Sequence, residues 1–327
     1  MELLSKKNSD CLKGIFAIAI LFHHLCGRTG IGSTIGLGPI YTALGYWAVS
    51  VFLFISGYGL AYSFDKKPNY SRNFISTKLL HLYILQLIFI LIYYLLRTIF
   101  MIQPTNMSLL NSLFLGKTII SNGWYLQVII LFYFIYYIVS HFKQQFTRIS
   151  ILFIVTFMYV ITCKYAGLSS TWYETAFCFP LGVLVYNNRI QNSQTYKSVT
   201  KWFVIAILVI MFSTSFVFSL LLPSCHVFLK IITSATFAIL VVYSSNLLNI
   251  QNVITNWLRK YYLGIYLFQG CAFILLRNHL WYIHNHYLFF IMAICITLIL
   301  AYFIQPAIEK LITLMKNKVK ISKSYEI

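Results

Sequence analysis

Lys13 and His24 stand eleven residues apart in an apolar run, Cys11 to Cys26, that opens Asp10-Cys-Leu-Lys13-Gly14 and closes His23-His24-Leu-Cys26. In a helix that spacing is three turns, so the two side chains share nearly one face, about 16 Å apart along the axis. Ionisable groups inside an apolar span are costly, which makes them informative. A lysine at one end suits an anionic ligand such as the phosphates of CoA. A histidine at the other suits a general base that takes a proton from an attacking hydroxyl. The length between them is of the order of a pantetheine arm. The same spacing also fits a structural reading, in which Lys13 snorkels to the headgroups and His23 and His24 cap the helix at the interface.

Few other groups can do chemistry. The acidic residues are Glu2, Asp10, Asp65, Glu174, Glu309 and Glu326. Glu174, near the outer end of the sixth apolar run, can orient His24, bind sugar hydroxyls or simply be exposed at the interface. Glu309 is expected to pair with a neighbouring Lys or Arg. Ser56-Gly57 fits either a site lining or a close helix crossing. Trp124 and Tyr125 fit either an interfacial anchor or a surface on which substrate stacks. The seven cysteines (Cys11, Cys26, Cys163, Cys178, Cys225, Cys271 and Cys295) include no CxxC and mostly lie in apolar runs. They read as small apolar residues rather than disulfide partners or metal ligands.

The elements that position these groups follow from composition. Hydrophobic residues make up 60% of the 327 and charged residues only 9%. A soluble chain carries charge on roughly a quarter of its positions, so a bilayer must solvate most of this one. The reading is an all-α, polytopic transmembrane helix bundle, a single membrane domain over 1–327. Ten spans are expected: Cys11–Cys26, Tyr41–Phe64, Leu79–Met101, Trp124–Ser140, Ile149–Tyr165, Thr171–Tyr186, Trp202–Leu222, Val227–Leu248, Tyr262–Leu280 and Tyr287–Leu311. The start of the first span, interrupted by Asp10 and Lys13 and followed by no small-residue site, is not that of a cleavable signal peptide.

The charges agree with this count. With the N-terminus inside, Lys6, Lys7, Lys66, Lys67, Arg72, Lys78, Lys143, Arg148, Arg189, Lys197, Lys201, Arg259, Lys260, Lys310, Lys316, Lys318, Lys320 and Lys323 fall on the cytoplasmic side. Only Arg28, Arg97, Lys117, Lys164, Lys230 and Arg277 fall opposite. That asymmetry supports an even number of spans with both termini cytoplasmic. It also accounts for the net charge of +19 without nucleic acid, for which no motif or aromatic-interleaved groove is present.

Taken in order, several segments resemble those of the acyltransferase family 3 membrane proteins. The first helix of that family carries a basic residue, ten further residues and then a histidine, which lands on Lys13 and His24. Asp10 to Gly14 resembles its sugar O-acetylase branch, and His23 is then a second candidate base. Phe52-Leu-Phe-Ile-Ser56-Gly57-Tyr58 resembles the second-helix segment, Gly123-Trp124-Tyr125-Leu126 the start of the fourth helix, and Pro180-Leu-Gly182 the sixth. Leu263-Gly264-Ile-Tyr266-Leu-Phe-Gln269 resembles the ninth, and Pro306-Ala-Ile-Glu309-Lys310 the acidic end of the last helix. The two-arginine motif after the second helix appears here as Lys78-Leu-Leu-His81, and Gly264 and Gln269 stand where Ser and His are usual.

The resemblance implies an acyl-CoA-dependent O-acyltransferase, with acetyl-CoA the common donor and no permanently bound cofactor. His24, with His23 and Glu174, would form the catalytic set. Lys13, Lys78, His81, Ser56 and Tyr58 would hold the donor, and Trp124, Tyr125 and Tyr266 the acceptor, a carbohydrate or lipid-linked sugar. The expected place is a bacterial cytoplasmic membrane, and the chain is expected to act alone, as a homo-oligomer or with a separate extracytoplasmic partner. The rival reading is a transporter or flippase of lipid-linked sugars. Against it stand the lack of an evident internal repeat and the scarcity of intramembrane carboxylates for ion coupling.

Overall fold

A computed structural model describes residues 4–34, 36–102, 105–114, 118–191, 198–245, 247–248 and 250–324. Glu2, Lys117, Lys197 and Glu326 lie outside these. Among the described residues the long elements are ten helices. They are α1 (Lys6–Thr29), α2 (Gly38–Lys66), α3 (Tyr70–Ile99), α4 (Trp124–Val139) and α5 (Gln145–Tyr165), then α6 (Cys178–Gln191), α7 (Ser198–Leu221), α8 (His226–Ser244), α9 (Val253–Leu276) and α10 (His286–Ser324).

Seven of them are long and apolar enough to cross a membrane: α1, α2, α3, α5, α7, α8 and α10. The other three are shorter or less apolar. α4 has 16 residues and α6 has 14, while α9 carries Arg259 and Lys260 in its first third. The chain is thus an all-α polytopic membrane bundle.

α1 sits at the centre, packed between α2 and α9. α2 also packs on α6 and α8, and α10 covers α9. Burial divides the bundle sharply: 72% of the most apolar window of α2 is buried against 17% in α7. An all-round apolar helix such as α2 belongs inside, whereas α7 turns its apolar surface to lipid.

Packing inside a bilayer relies on close contact rather than on water exclusion. The α2–α6 crossing uses a reciprocal pair of glycines. A Cβ on Gly57 would stand 2.1 Å from the Phe179 carbonyl oxygen, and one on Gly182 2.1 Å from that of Phe54. Backbone meets backbone there, and a methyl group on either side would drive the helices apart.

Hydrogen bonds gather both ends of the chain on one face. Asn8 Nδ2 donates to the Ser245 carbonyl at 3.0 Å, and Gln251 Nε2 to Asn8 Oδ1 at 2.7 Å. Lys316 Nζ donates to the Thr77 carbonyl at 2.7 Å. We call this the terminal face and the other the distal face.

Two expected spans shift. Residues 171–177, read as the start of the sixth span, fall in a 3-10 turn (Ser170–Trp172) and successive turns before α6 begins at Cys178. The Ser170 carbonyl caps them by accepting from the Tyr173 and Glu174 N–H groups at 3.0 and 2.8 Å. The ninth helix starts at Val253 instead of Tyr262, because Asn252 and Thr255 close a capping box ahead of the apolar run. All seven cysteines are unpaired; five are buried, and Cys225 and Cys295 are exposed.

Candidate active site

A cavity of about 430 Å³ opens between α1, α2, α3, α4, α9 and α10. α1 contributes Lys13, and α2 contributes Phe52 and Ser56. From α3 come Lys78 and His81, and from α4 Tyr125 and Tyr133. α9 adds Lys260, Tyr262 and Tyr266, and α10 adds Gln305 and Glu309. Of the residues expected to bind donor or acceptor, Lys13, Lys78, His81, Ser56, Tyr125 and Tyr266 therefore meet in one place.

Charge concentrates at the terminal end of this cavity. Lys13 Nζ lies 3.3 Å from Asp10 Oδ1, one turn back on α1, and 5.6 Å from the centroid of the Tyr262 ring. Lys78 Nζ lies 6.0 Å from the Tyr133 centroid. Rings under ammonium groups hold cations without neutralising them. Glu309 pairs with His81, Nε2 to Oε2 at 3.3 Å, with Lys78 and Lys316 within electrostatic reach. The cause is local: Ile75–Leu79 is a π turn inside α3, whose extra residue per turn rephases the helix. Both Lys78 within the turn and His81 after it then reach the cavity.

Gln305 explains one departure from the family pattern. Its Oε1 accepts the Gly264 N–H at 2.9 Å, and its Nε2 donates to the Lys260 carbonyl at 3.0 Å. The α10 amide thus splices into one turn of α9, beside the cavity wall. A Cβ on residue 264 would stand 2.5 Å from that Oε1, so glycine here leaves room for the splice. Gln269 is fully buried, with Nε2 donating to the Tyr266 carbonyl at 2.8 Å and Oε1 unpartnered.

Toward the distal face the cavity ends in rings. Tyr125 packs 5.7 Å from Phe52 and 5.6 Å from Tyr266, centroid to centroid. The Tyr266 hydroxyl donates to the Asn122 carbonyl. His23 and His24 lie beyond this layer and do not line the cavity. His23 rests its ring on Gly45 and places Nδ1 2.7 Å from the Tyr41 carbonyl oxygen. His24 stacks edge-on to His23 at 4.9 Å and makes no side-chain hydrogen bond to a described residue. Of the two, His24 is the one whose ring nitrogens are left to other partners.

Three further expected residues sit apart from the cavity. Tyr58 is buried with its ring edge-on to Tyr186 at 5.3 Å. Trp124 packs on Trp172 at 6.0 Å. Glu174, 3% exposed, accepts from Ser170 Oγ at 2.9 Å and pairs with Lys230 Nζ at 3.2 Å. Lys230 in turn lies 5.1 Å from the centroid of the Tyr46 ring. Among the described residues no contact joins Glu174 to His24; its partners are Ser170 in the turn before α6 and Lys230 on α8.

Sequence reasoning passed over Lys260, Tyr262, Tyr133 and Gln305. Lys260 was counted as a topology charge, and the tyrosines are not distinguishable from the chain's other aromatics. Only the α9–α10 contact reveals Gln305. Among the described residues no group of three or more His, Cys, Asp or Glu side chains has metal-holding geometry.

Comparison with known proteins gives one result. The family model for acyltransferase family 3, described as an acyltransferase domain, matches residues 6–305. No curated protein and no solved structure matches the chain.

Proposed function

Since this chain belongs to acyltransferase family 3 and is a multi-pass membrane acyltransferase, we propose that it moves an acyl group from acyl-CoA to a hydroxyl of a cell-envelope carbohydrate or lipid-linked sugar. Acetyl is the group, and a bacterial cytoplasmic membrane the setting, favoured by the resemblance; the charge asymmetry favours the terminal face inside. One observation carries the reading. A cation-rich cavity at the terminal face contains Lys13, and His24 stands three turns further along the same face of the same helix.

In this reading the phosphates of CoA enter from the terminal face, where Lys13, Lys78 and Lys260 converge. Ammonium groups over aromatic rings and beside an acid are held in place, which suits a polyanion. The pantetheine arm runs past Ser56 toward the ring layer of Phe52, Tyr125 and Tyr266. The thioester reaches His24 once those rings part.

His24 takes the proton of the acceptor hydroxyl. The hydroxyl oxygen bonds to the thioester carbonyl carbon, the C–S bond breaks, and the imidazolium returns the proton to the departing sulfur. The products are an ester and CoA thiol. Glu174 and the aromatic groups Tyr46 and Trp124 belong to the distal half, where an acceptor would arrive.

The test is acceptor-dependent release of CoA thiol by detergent-purified protein given labelled acetyl-CoA and a cell-envelope glycan extract. Release with label recovered on the glycan is the expected result. No thiol with acetyl, succinyl or longer donors would overturn the reading.

A further inference from the structure

Three arginines lie at the distal ends of three helices. Arg28 is the next-to-last residue of α1, Arg97 lies near the end of α3, and Arg277 caps α9. Arg277 Nη1 donates to the Arg28 carbonyl at 3.3 Å. The Arg28 guanidinium stands 4.6 Å from the Phe273 centroid, and that of Arg277 3.8 Å from the Phe289 centroid. Arg28 is within electrostatic reach of both Arg97 and Arg277.

Nothing described neutralises them. Asp10, Asp65 and Glu309 belong to the terminal face, and Glu174 is held by Lys230. The carbonyl ends of the three helices moderate the mutual repulsion, but they leave donors unused. Arg97 Nε and Arg277 Nη2 are buried without a hydrogen-bond partner. Orientation does not explain the cluster either, because topology signals lie on the opposite side.

We propose that Arg28, Arg97 and Arg277 form a binding site for a phosphoryl group carried by the acceptor. Guanidinium forks match phosphoryl oxygens in pairs. Three forks offer more donors than the two oxygens of a carboxylate accept, so a phosphoryl group, with three free oxygens, is the better match. Arg28 follows His24 by four residues, one turn or about 6 Å along α1, and the two are within electrostatic reach. A phosphate seated at Arg28 places an attached sugar hydroxyl beside the imidazole. The site as an anion site is independent of the function proposed above; assigning its phosphate to the acceptor rests on that function.

The experiment measures binding without any acyl donor, so its outcome is independent of whether the chain transfers acyl groups. The probes are glucose 1-phosphate and glucose, with full-length protein in a phosphate-free maltoside detergent. Wild type is expected to prefer the phosphorylated probe about tenfold, the effect of one charge-assisted hydrogen bond. Arg97→Gln, which breaks no side-chain hydrogen bond to a described residue, should lose most of that preference while eluting as a single species. Arg277→Lys should keep part of it.

Phosphatidylglycerol added to the micelles separates the two sources of phosphate. Retention of the probe supports an acceptor site. Displacement by the lipid overturns the proposal in favour of a headgroup contact, as does equal binding of the two probes or an unchanged preference in Arg97→Gln.

Discussion

The terminal and distal faces hold their charges differently. At the terminal face Lys13 pairs with Asp10, and His81 with Glu309, around an open cavity. At the distal face Arg28, Arg97 and Arg277 gather without a described carboxylate, while Glu174 and Lys230 close on each other at the α2–α8 seam. Paired cations around a void keep their geometry while a ligand comes and goes. Unpaired cations retain donors that a ligand can fill. α1 joins the two regions, with Lys13 in one and His24 at the border of the other, so in the proposed reaction donor and acceptor would meet along a single helix.

The strongest way to break that contrast is His24→Ala. Loss of a general base is expected to lower kcat for CoA release by about 10²- to 10⁴-fold. Equilibrium binding of labelled acetyl-CoA should be unchanged, since His24 does not line the cavity. A fall in donor binding would place His24 in the donor site instead.

Next in size is Glu174→Gln. It leaves the half-buried Lys230 without its carboxylate and should cost up to about 3 kcal/mol of stability, read from detergent-phase unfolding. Adding Lys230→Met should restore most of the loss. A single variant as stable as wild type would mean that the pair is free to act on a ligand rather than to hold the seam.

Gly57→Ala tests the shared scaffold. A Cβ 2.1 Å from the Phe179 carbonyl oxygen should cost about 1–3 kcal/mol in the same unfolding measurement. Gly59→Ala, on the same helix and facing open space, should be neutral or stabilising, and equal losses at the two positions would rule out the crossing as the cause.

Smallest is Lys13→Ala, which should raise the acyl-CoA KM by about tenfold, the effect of one charge-assisted contact. The gap from wild type should narrow as salt rises. A variant that changes kcat alone would move Lys13 from binding to chemistry.

Much of this arrangement was legible in residue order. Lys13 and His24 declare a shared face because helical spacing is fixed by geometry. The all-α membrane bundle follows from the length and number of the apolar runs, while seven helices among the described residues, not ten, are long and apolar enough to cross a membrane. Lys78 and His81 were legible only as a departure from a motif, since the π turn that aims them leaves no sequence signature. The pairing of His81 with Glu309 and the splice of Gln305 into α9 depend on contacts between distant helices, which spacing does not encode. The arginine cluster stayed hidden for the same reason: its members are scattered along the chain and meet only when α1, α3 and α9 end together.

The central claim is that donor and acceptor meet at His24 from opposite faces, and vectorial transfer in proteoliposomes tests it most directly. Labelled acetyl-CoA is supplied only at the terminal face of uniformly oriented protein, and a membrane-impermeant glycan acceptor only at the distal face. The account predicts label on the acceptor with CoA thiol retained on the donor side, both lost in His24→Ala. Transfer that occurs only when donor and acceptor share one compartment would contradict it.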